Sequence, residues 1–157
     1  MESALHNLNK DGTSPSSAPV SSDGANGSER PKEEGNDRLR VLLVEDQTPL
    51  RLLLSLWLER QGYHIRSAES ICEAVALAEV HEFDILLADV WLPDGIGLSL
   101  LESQRERFRF GGISLSGFGN TKDFEQSKAA GFRFHLVKPF SPEELRDKIQ
   151  MLVHESV

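Results

Sequence analysis

From Arg38 onward the chain alternates short apolar runs with stretches whose apolar residues recur at helical spacing. The run Arg40–Val44 (RVLLV) is apolar and followed by acids, the pattern of a short strand buried on both faces. Thr48 and Pro49 then read as an N-cap and a proline at the first helical position. Leu50, Leu53, Leu54, Trp57 and Leu58 follow on one helical face, and Gly62 closes the helix. A second strand is expected over residues 63–67. Ser70 and Glu73 form a capping-box pair that opens a helix with Ile71, Val75 and Ala78 inward. A third strand is expected over residues 83–88, then the turn Pro93, Asp94, Gly95 and a helix from near Ile96. A fourth strand over 112–115, a helix over 121–130 and a fifth strand over 132–137 complete the alternation. Ser141, Pro142 and Glu144 combine an N-cap, a first-turn proline and a capping-box acid. The helix they open carries Leu145, Ile149, Leu152 and Val153 on one face.

Five strand–helix units in about 120 residues imply an α/β domain with a parallel sheet covered on both faces. Right-handed crossovers leave the five-stranded, flavodoxin-like order 2-1-3-4-5 as the expected topology. The domain is expected over residues 38–157. Residues 1–37 are rich in Ser, Gly, Pro, Asn and Glu and almost lack large apolar residues after Leu8. Such a segment buries too little surface to offset its ordering entropy, so a disordered N-terminal tail is expected.

Composition narrows the class. The net charge of −8 argues against direct contact with nucleic acid, which calls for a basic stripe. One cysteine, Cys72, excludes an internal disulfide and is expected to be a small packed apolar residue. No run reaches the roughly 18 apolar residues of a membrane span, and no basic-then-apolar leader opens the chain. A cytoplasmic protein without membrane insertion is the expectation.

Open α/β sheets bind ligands beyond the C-terminal ends of their strands. In this chain those ends carry Glu45 and Asp46, Asp89, Ser116 and Gly117, and Lys138 and Pro139. Each residue alone has a plainer reading: helix-capping acids, a turn aspartate, a solvated lysine. Together they place three carboxylates, a hydroxyl and a lysine on one edge. Clustered carboxylates repel unless a cation joins them, and an all-oxygen set with room for water suits Mg²⁺. A carboxylate beside such a cation can attack a phosphoryl donor and form an aspartyl phosphate. Lysine and cation then neutralise the transferred oxygens, and the serine donates to one of them.

These residues resemble the response-regulator receiver family (CheY-like) over about residues 39–155. The resemblance rests on Val41 to Asp46 (VLLVED), Asp84 to Gly95 (DILLADVWLPDG), Ile113 to Gly117 (ISLSG) and Leu136 to Phe140 (LVKPF). It implies that Asp89 is phosphorylated and that Asp46 ligates Mg²⁺ directly. Glu45 would hold a metal-bound water, and the backbone carbonyl of Trp91 would complete the protein ligands. Ser116 and Lys138 would bind the phosphoryl oxygens, and the Lys138–Pro139 bond would be cis. His135 stands at the switch position, where the family often has Tyr or Phe; receivers of hybrid sensor kinases often carry histidine there. A moving switch residue and a packed neutral histidine are both compatible with the residue. The bulk of Trp91 is expected to restrict water access, although a surface-lying ring fits equally.

The implied function is a phosphorelay receiver fed by a histidine kinase or histidine phosphotransfer protein, a phosphoacceptor switch and not an enzyme. No output domain is expected after the last helix. Output is expected through a downstream protein partner, reverse phosphotransfer or another part of a longer protein. A flavin or nucleotide binder of the same fold is disfavoured by the acids after the first strand and by the lack of G-x-G-x-x-G or a P-loop. A haloacid-dehalogenase-type phosphohydrolase would place D-x-D on the first strand, which is absent. A degenerate receiver acting as a phosphorylation-independent binding module is the remaining alternative.

Overall fold

A computed structural model of the chain describes residues 37–117 and 121–155. The tail expected over residues 1–37 lies outside the described residues except for Asp37. The elements in order are β1 (Arg40–Val44), α1 (Thr48–Arg60), β2 (His64–Ala68), α2 (Ile71–Val80) and β3 (Ile85–Asp89). Two short strands follow, β4 (Trp91–Leu92) and β5 (Gly95–Ile96), then α3 (Ser99–Gln104) and a 3₁₀ turn (Arg105–Arg107). The chain continues through β6 (Gly112–Ser116), α4 (Thr121–Ala129), β7 (Phe134–Val137) and α5 (Pro142–Glu155).

Five strands form one parallel sheet in the order β2-β1-β3-β6-β7, which is the expected 2-1-3-4-5 order of the five sheet strands. Their alternation divides the core into two layers. Leu42, Val44, Leu86 and Ala88 face Ala74 and Ala78 of α2 and Leu100 and Leu101 of α3. Val41, Leu43, Ile85 and Leu87 face Leu54 and Leu58 of α1 and Leu145 and Ile149 of α5. The central strand β3 is buried at all five residues, so its polar end, Asp89, is carried rigidly to the sheet edge. Truncating a core side chain such as Ile149 to alanine costs about 2–5 kcal/mol, transfer and cavity combined.

Local signals explain several helix ends. Ser70 Oγ accepts from the Glu73 amide at 3.2 Å, while the Glu73 carboxylate takes the Glu69 amide. Ser141 and Glu144 exchange the reciprocal pair of a capping box. Gly62, at φ +99°, reverses the chain after α1.

Four expectations are corrected. Helix α1 includes Thr48, and its N-cap is Gln47, whose amide is satisfied by the Glu45 carboxylate at 3.1 Å. No helix begins at Ile96: residues 91–96 form an antiparallel hairpin, with Trp91 opposite Ile96, and α3 starts only at Ser99. Strand three starts at Ile85, and Phe83 instead packs on Phe108 through a lone bridge. Cys72 is exposed and not packed, because α2 turns Ala74 and Ala78 inward.

Candidate functional site

The site forms where β1, β3, β6 and β7 end. Val44 pairs with Ala88 across β1 and β3, so Glu45 and Asp89 leave adjacent strands side by side. Beyond Val44 the backbone stays tied to the sheet through the Glu45 amide, which donates to Ala68 at 3.0 Å. The Arg51 guanidinium, from the first turn of α1, donates to the Glu45 carbonyl at 2.9 Å. These bonds fix the acidic corner before any ligand arrives.

Carboxylate oxygens of Glu45, Asp46 and Asp89 lie within 4.8 Å of one another. Glu45 and Asp89 are buried, and Asp46 is exposed. The Lys138 ammonium donates to Glu45 Oε2 at 2.6 Å and to Asp89 Oδ2 at 2.8 Å. Burial pushes the Glu45 carboxyl above its ordinary value; the Lys138 bond works against that, and the neighbouring Asp89 charge adds to it. Burial acts to lower the Lys138 pKa, but its bonds to Asp89 and Glu45 outweigh it and hold the ammonium above its ordinary value. One lysine thus offsets part of a triple negative charge. The hard, all-oxygen donor set that remains fits a small divalent cation such as Mg²⁺.

The structure brings Glu45, Asp46, Asp89 and Lys138 together. Ser116 ends the next strand, buried, and its hydroxyl donates to Asp123 Oδ2 of α4 at 3.1 Å. The Trp91 amide reaches Asp89 Oδ1 at 3.3 Å, while its side chain is 49% exposed. His135 is not part of the carboxylate group: its Nδ1 lies 2.7 Å from Ser114 Oγ, and its ring meets Phe124 edge-on. Burial lowers the His135 pKa, with Asp123 drawing it partly back, which favours the neutral ring. The Lys138–Pro139 bond is cis.

Sequence reasoning missed three contributors. A Cβ on Gly97 would lie 1.9 Å from the Asp89 carbonyl oxygen, so this position needs glycine for close approach. Asp94, at the hairpin tip, accepts from the Ile71 and Cys72 amides, each at 2.9 Å, and so caps α2. Asp123, on α4, is 2% exposed and accepts a hydrogen bond from the Ser116 hydroxyl. The acid's position two residues into a helix reads as a solvated first-turn residue, which hides its burial.

The family model for the response regulator receiver domain matches residues 41–150. The chain belongs to that family. Its receiver fold is 29% identical, with a TM-score of 0.70, to a CheY-like receiver protein from Methanospirillum hungatei, covering 76% of this chain and 96% of that one. The response regulator TrrA of Thermotoga maritima, solved in complex with Mg²⁺-BeF, is 28% identical with a TM-score of 0.64, covering 73% of this chain and 98% of that one. In sequence the receiver is 32% identical over 117 residues to the transcriptional regulatory protein ResD of Bacillus subtilis, covering 74% of this chain. The chain spans about half the length of the curated relatives it matches. No helix of the described residues is long and apolar enough to cross a membrane.

Proposed function

We propose that this receiver takes a phosphoryl group from a phosphohistidine onto Asp89 and thereby switches a protein-interaction face. The observation that carries the reading is the Lys138 ammonium bonded at once to Glu45 and Asp89 within a cluster of three carboxylates. A carboxylate so placed is paired, oriented and close to a cation-binding set, which are the conditions for an anionic nucleophile to approach an anionic donor.

An oxygen of Asp89 attacks phosphorus, the P–N bond to the donor imidazole breaks, and its electron pair returns to the ring nitrogen, which is then protonated. The Trp91 amide orients Asp89 through Oδ1. Lys138 compensates charge on the transferred oxygens, and Ser116 donates a hydrogen bond to one of them. Asp46, Asp89 and the Trp91 carbonyl would hold Mg²⁺, with Glu45 beside them, and the cation would supply further charge neutralisation. The chain is an acceptor and switch and not an enzyme acting on a separate substrate. Its partners are a histidine kinase or histidine phosphotransfer protein upstream and a protein downstream, in the cytoplasm. The intact set of Glu45, Asp46, Asp89, Ser116 and Lys138 favours this over a degenerate binding module.

Calorimetric titration with Mg²⁺ and then beryllofluoride, a phosphoryl mimic, tests the reading. Binding of both by the native chain, with beryllofluoride dependent on Mg²⁺ and lost in Asp89→Asn, is expected. Absence of either binding event in the native chain would refute it.

A further inference from the structure

The chain is acidic overall, yet arginines gather beyond the N-terminal end of β6. Arg105, Arg107 and Arg109 fall within five residues, between α3 and β6. The fold uses the middle one: its guanidinium donates to the Ala78 carbonyl in the last turn of α2, 2.6 Å away. The outer two line a hollow of about 470 Å³ together with Arg133, which precedes β7. Gly111 and Gly131 line it as well, and the one acid in the lining is Glu106.

Two features separate this hollow from an ordinary solvated surface. Neither Arg105 nor Arg109 forms an ion pair among the described residues, whereas Arg40, Arg51 and Arg146 each reach a carboxylate. Their guanidiniums are braced instead by uncharged groups. Arg109 lies over the Phe110 ring, 4.7 Å from its centroid, and Arg105 lies beside Gly131, where a Cβ would sit 3.9 Å from it. Three guanidiniums against one carboxylate leave the lining a formal charge of +2. Like charges held together repel unless an anion joins them. We propose that this hollow is a binding site for a small organic phosphate monoester, at the opposite end of the sheet from the carboxylate cluster. Guanidiniums arriving from separate chain segments suit a tetrahedral dianion, whose oxygens accept from several directions, where a carboxylate accepts in one plane. The volume also leaves space for an organic body beside the phosphate. The site is independent of Asp89: the length of β6, about 13 Å, separates it from the carboxylate end of the sheet.

Amide chemical shifts of the metal-free full chain, followed during titration with inorganic phosphate and with glucose 6-phosphate, test this. Saturable shifts confined to residues 105–112 and 131–134 are expected, with a Kd of about 1 mM or tighter. Glucose 6-phosphate should bind at least as tightly as phosphate, and glucose should not bind. Arg105→Gln and Arg109→Gln should each weaken phosphate binding roughly ten-fold, the worth of one charge-assisted bond. Arg109→Lys keeps the charge without the planar fork and should fall between native and glutamine. Arg146→Gln, at an arginine of α5 beside Asp147, should bind like the native chain. Shifts that sodium chloride reproduces at equal ionic strength, or that persist when Arg105 and Arg109 are both glutamine, would overturn the site. So would shifts centred on Glu45 and Asp89. Tighter binding of hexaglutamate than of glucose 6-phosphate would overturn the ligand class and mark the hollow as a surface for acidic peptide.

Discussion

The Lys138 ammonium stands between Glu45 and Asp89, 2.6 Å from one carboxylate and 2.8 Å from the other. The Glu45 side chain is wholly buried while that of Lys138 keeps 17% of its exposure, so the carboxylate depends on its partner more than the ammonium does. Removing one partner of a buried pair costs about 3–5 kcal/mol, because the other is left uncompensated. Lys138→Met should therefore destabilise the chain by about 3 kcal/mol in chelator, and added Mg²⁺ should restore part of the loss. Denaturant unfolding with and without Mg²⁺ measures both. An undiminished stability in chelator would show that the pair contributes little.

Gly97 sets the height of the Asp89 backbone. Its amide donates to the Val90 carbonyl at 2.8 Å, and its Cα faces the Asp89 carbonyl with no room for a methyl group. The clash in Gly97→Ala involves backbone, which cannot swing aside. A loss of about 3 kcal/mol is expected, with Asp89 displaced and beryllofluoride affinity reduced. Thermal unfolding and the same binding titration check it.

The hairpin tip and α2 are joined through Asp94. Bonds from the Ile71 amide, then the Cys72 amide, hold its carboxyl below the ordinary aspartate value. A carboxyl depressed in the fold stabilises it above the unfolded pKa, and that contribution disappears as pH falls through the folded value. Exchange of the Ile71 and Cys72 amides should accelerate as pH drops below about 3.8 relative to neighbouring amides, beyond the intrinsic pH effect. In Asp94→Ala it should be fast at every pH.

His135 gives the second pH dependence. Burial first, opposed by the Asp123 charge, leaves its pKa below the ordinary histidine value. The neutral ring is thus favoured by the fold. Its contribution to stability is complete above the unfolded value of about 6.5 and is lost as pH falls through the folded value. NMR titration should place His135 below 6.5. His135→Gln should flatten the decline of stability on the acid side. Titration above 6.5 would contradict the burial argument.

Much of this was legible in the amino-acid sequence because it depends on local rules. The capping residues Ser70 and Ser141 act within one helical turn, and the alternating apolar runs fix which strands are central. Glu45, Asp46, Asp89 and Lys138 were found because strand ends converge in an open parallel sheet. The β4–β5 hairpin was not legible: strands of two residues are too short to show an alternation, and the apolar residues that follow carry a helical spacing from Ile96. Gly97 and Asp94 act across space on partners given only by the fold. Asp123 was hidden by the same cause, although one trace existed. In residues 121–129 the apolar residues do not recur at helical spacing, which indicates a helix not held by a hydrophobic stripe.

The most direct test of the phosphoacceptor role is intact mass after incubation with acetyl phosphate, with and without Mg²⁺, for the native chain and Asp89→Asn. One phosphoryl adduct that requires Mg²⁺ and disappears in Asp89→Asn is the predicted result. No adduct in the native chain, or an undiminished adduct in the variant, would contradict it.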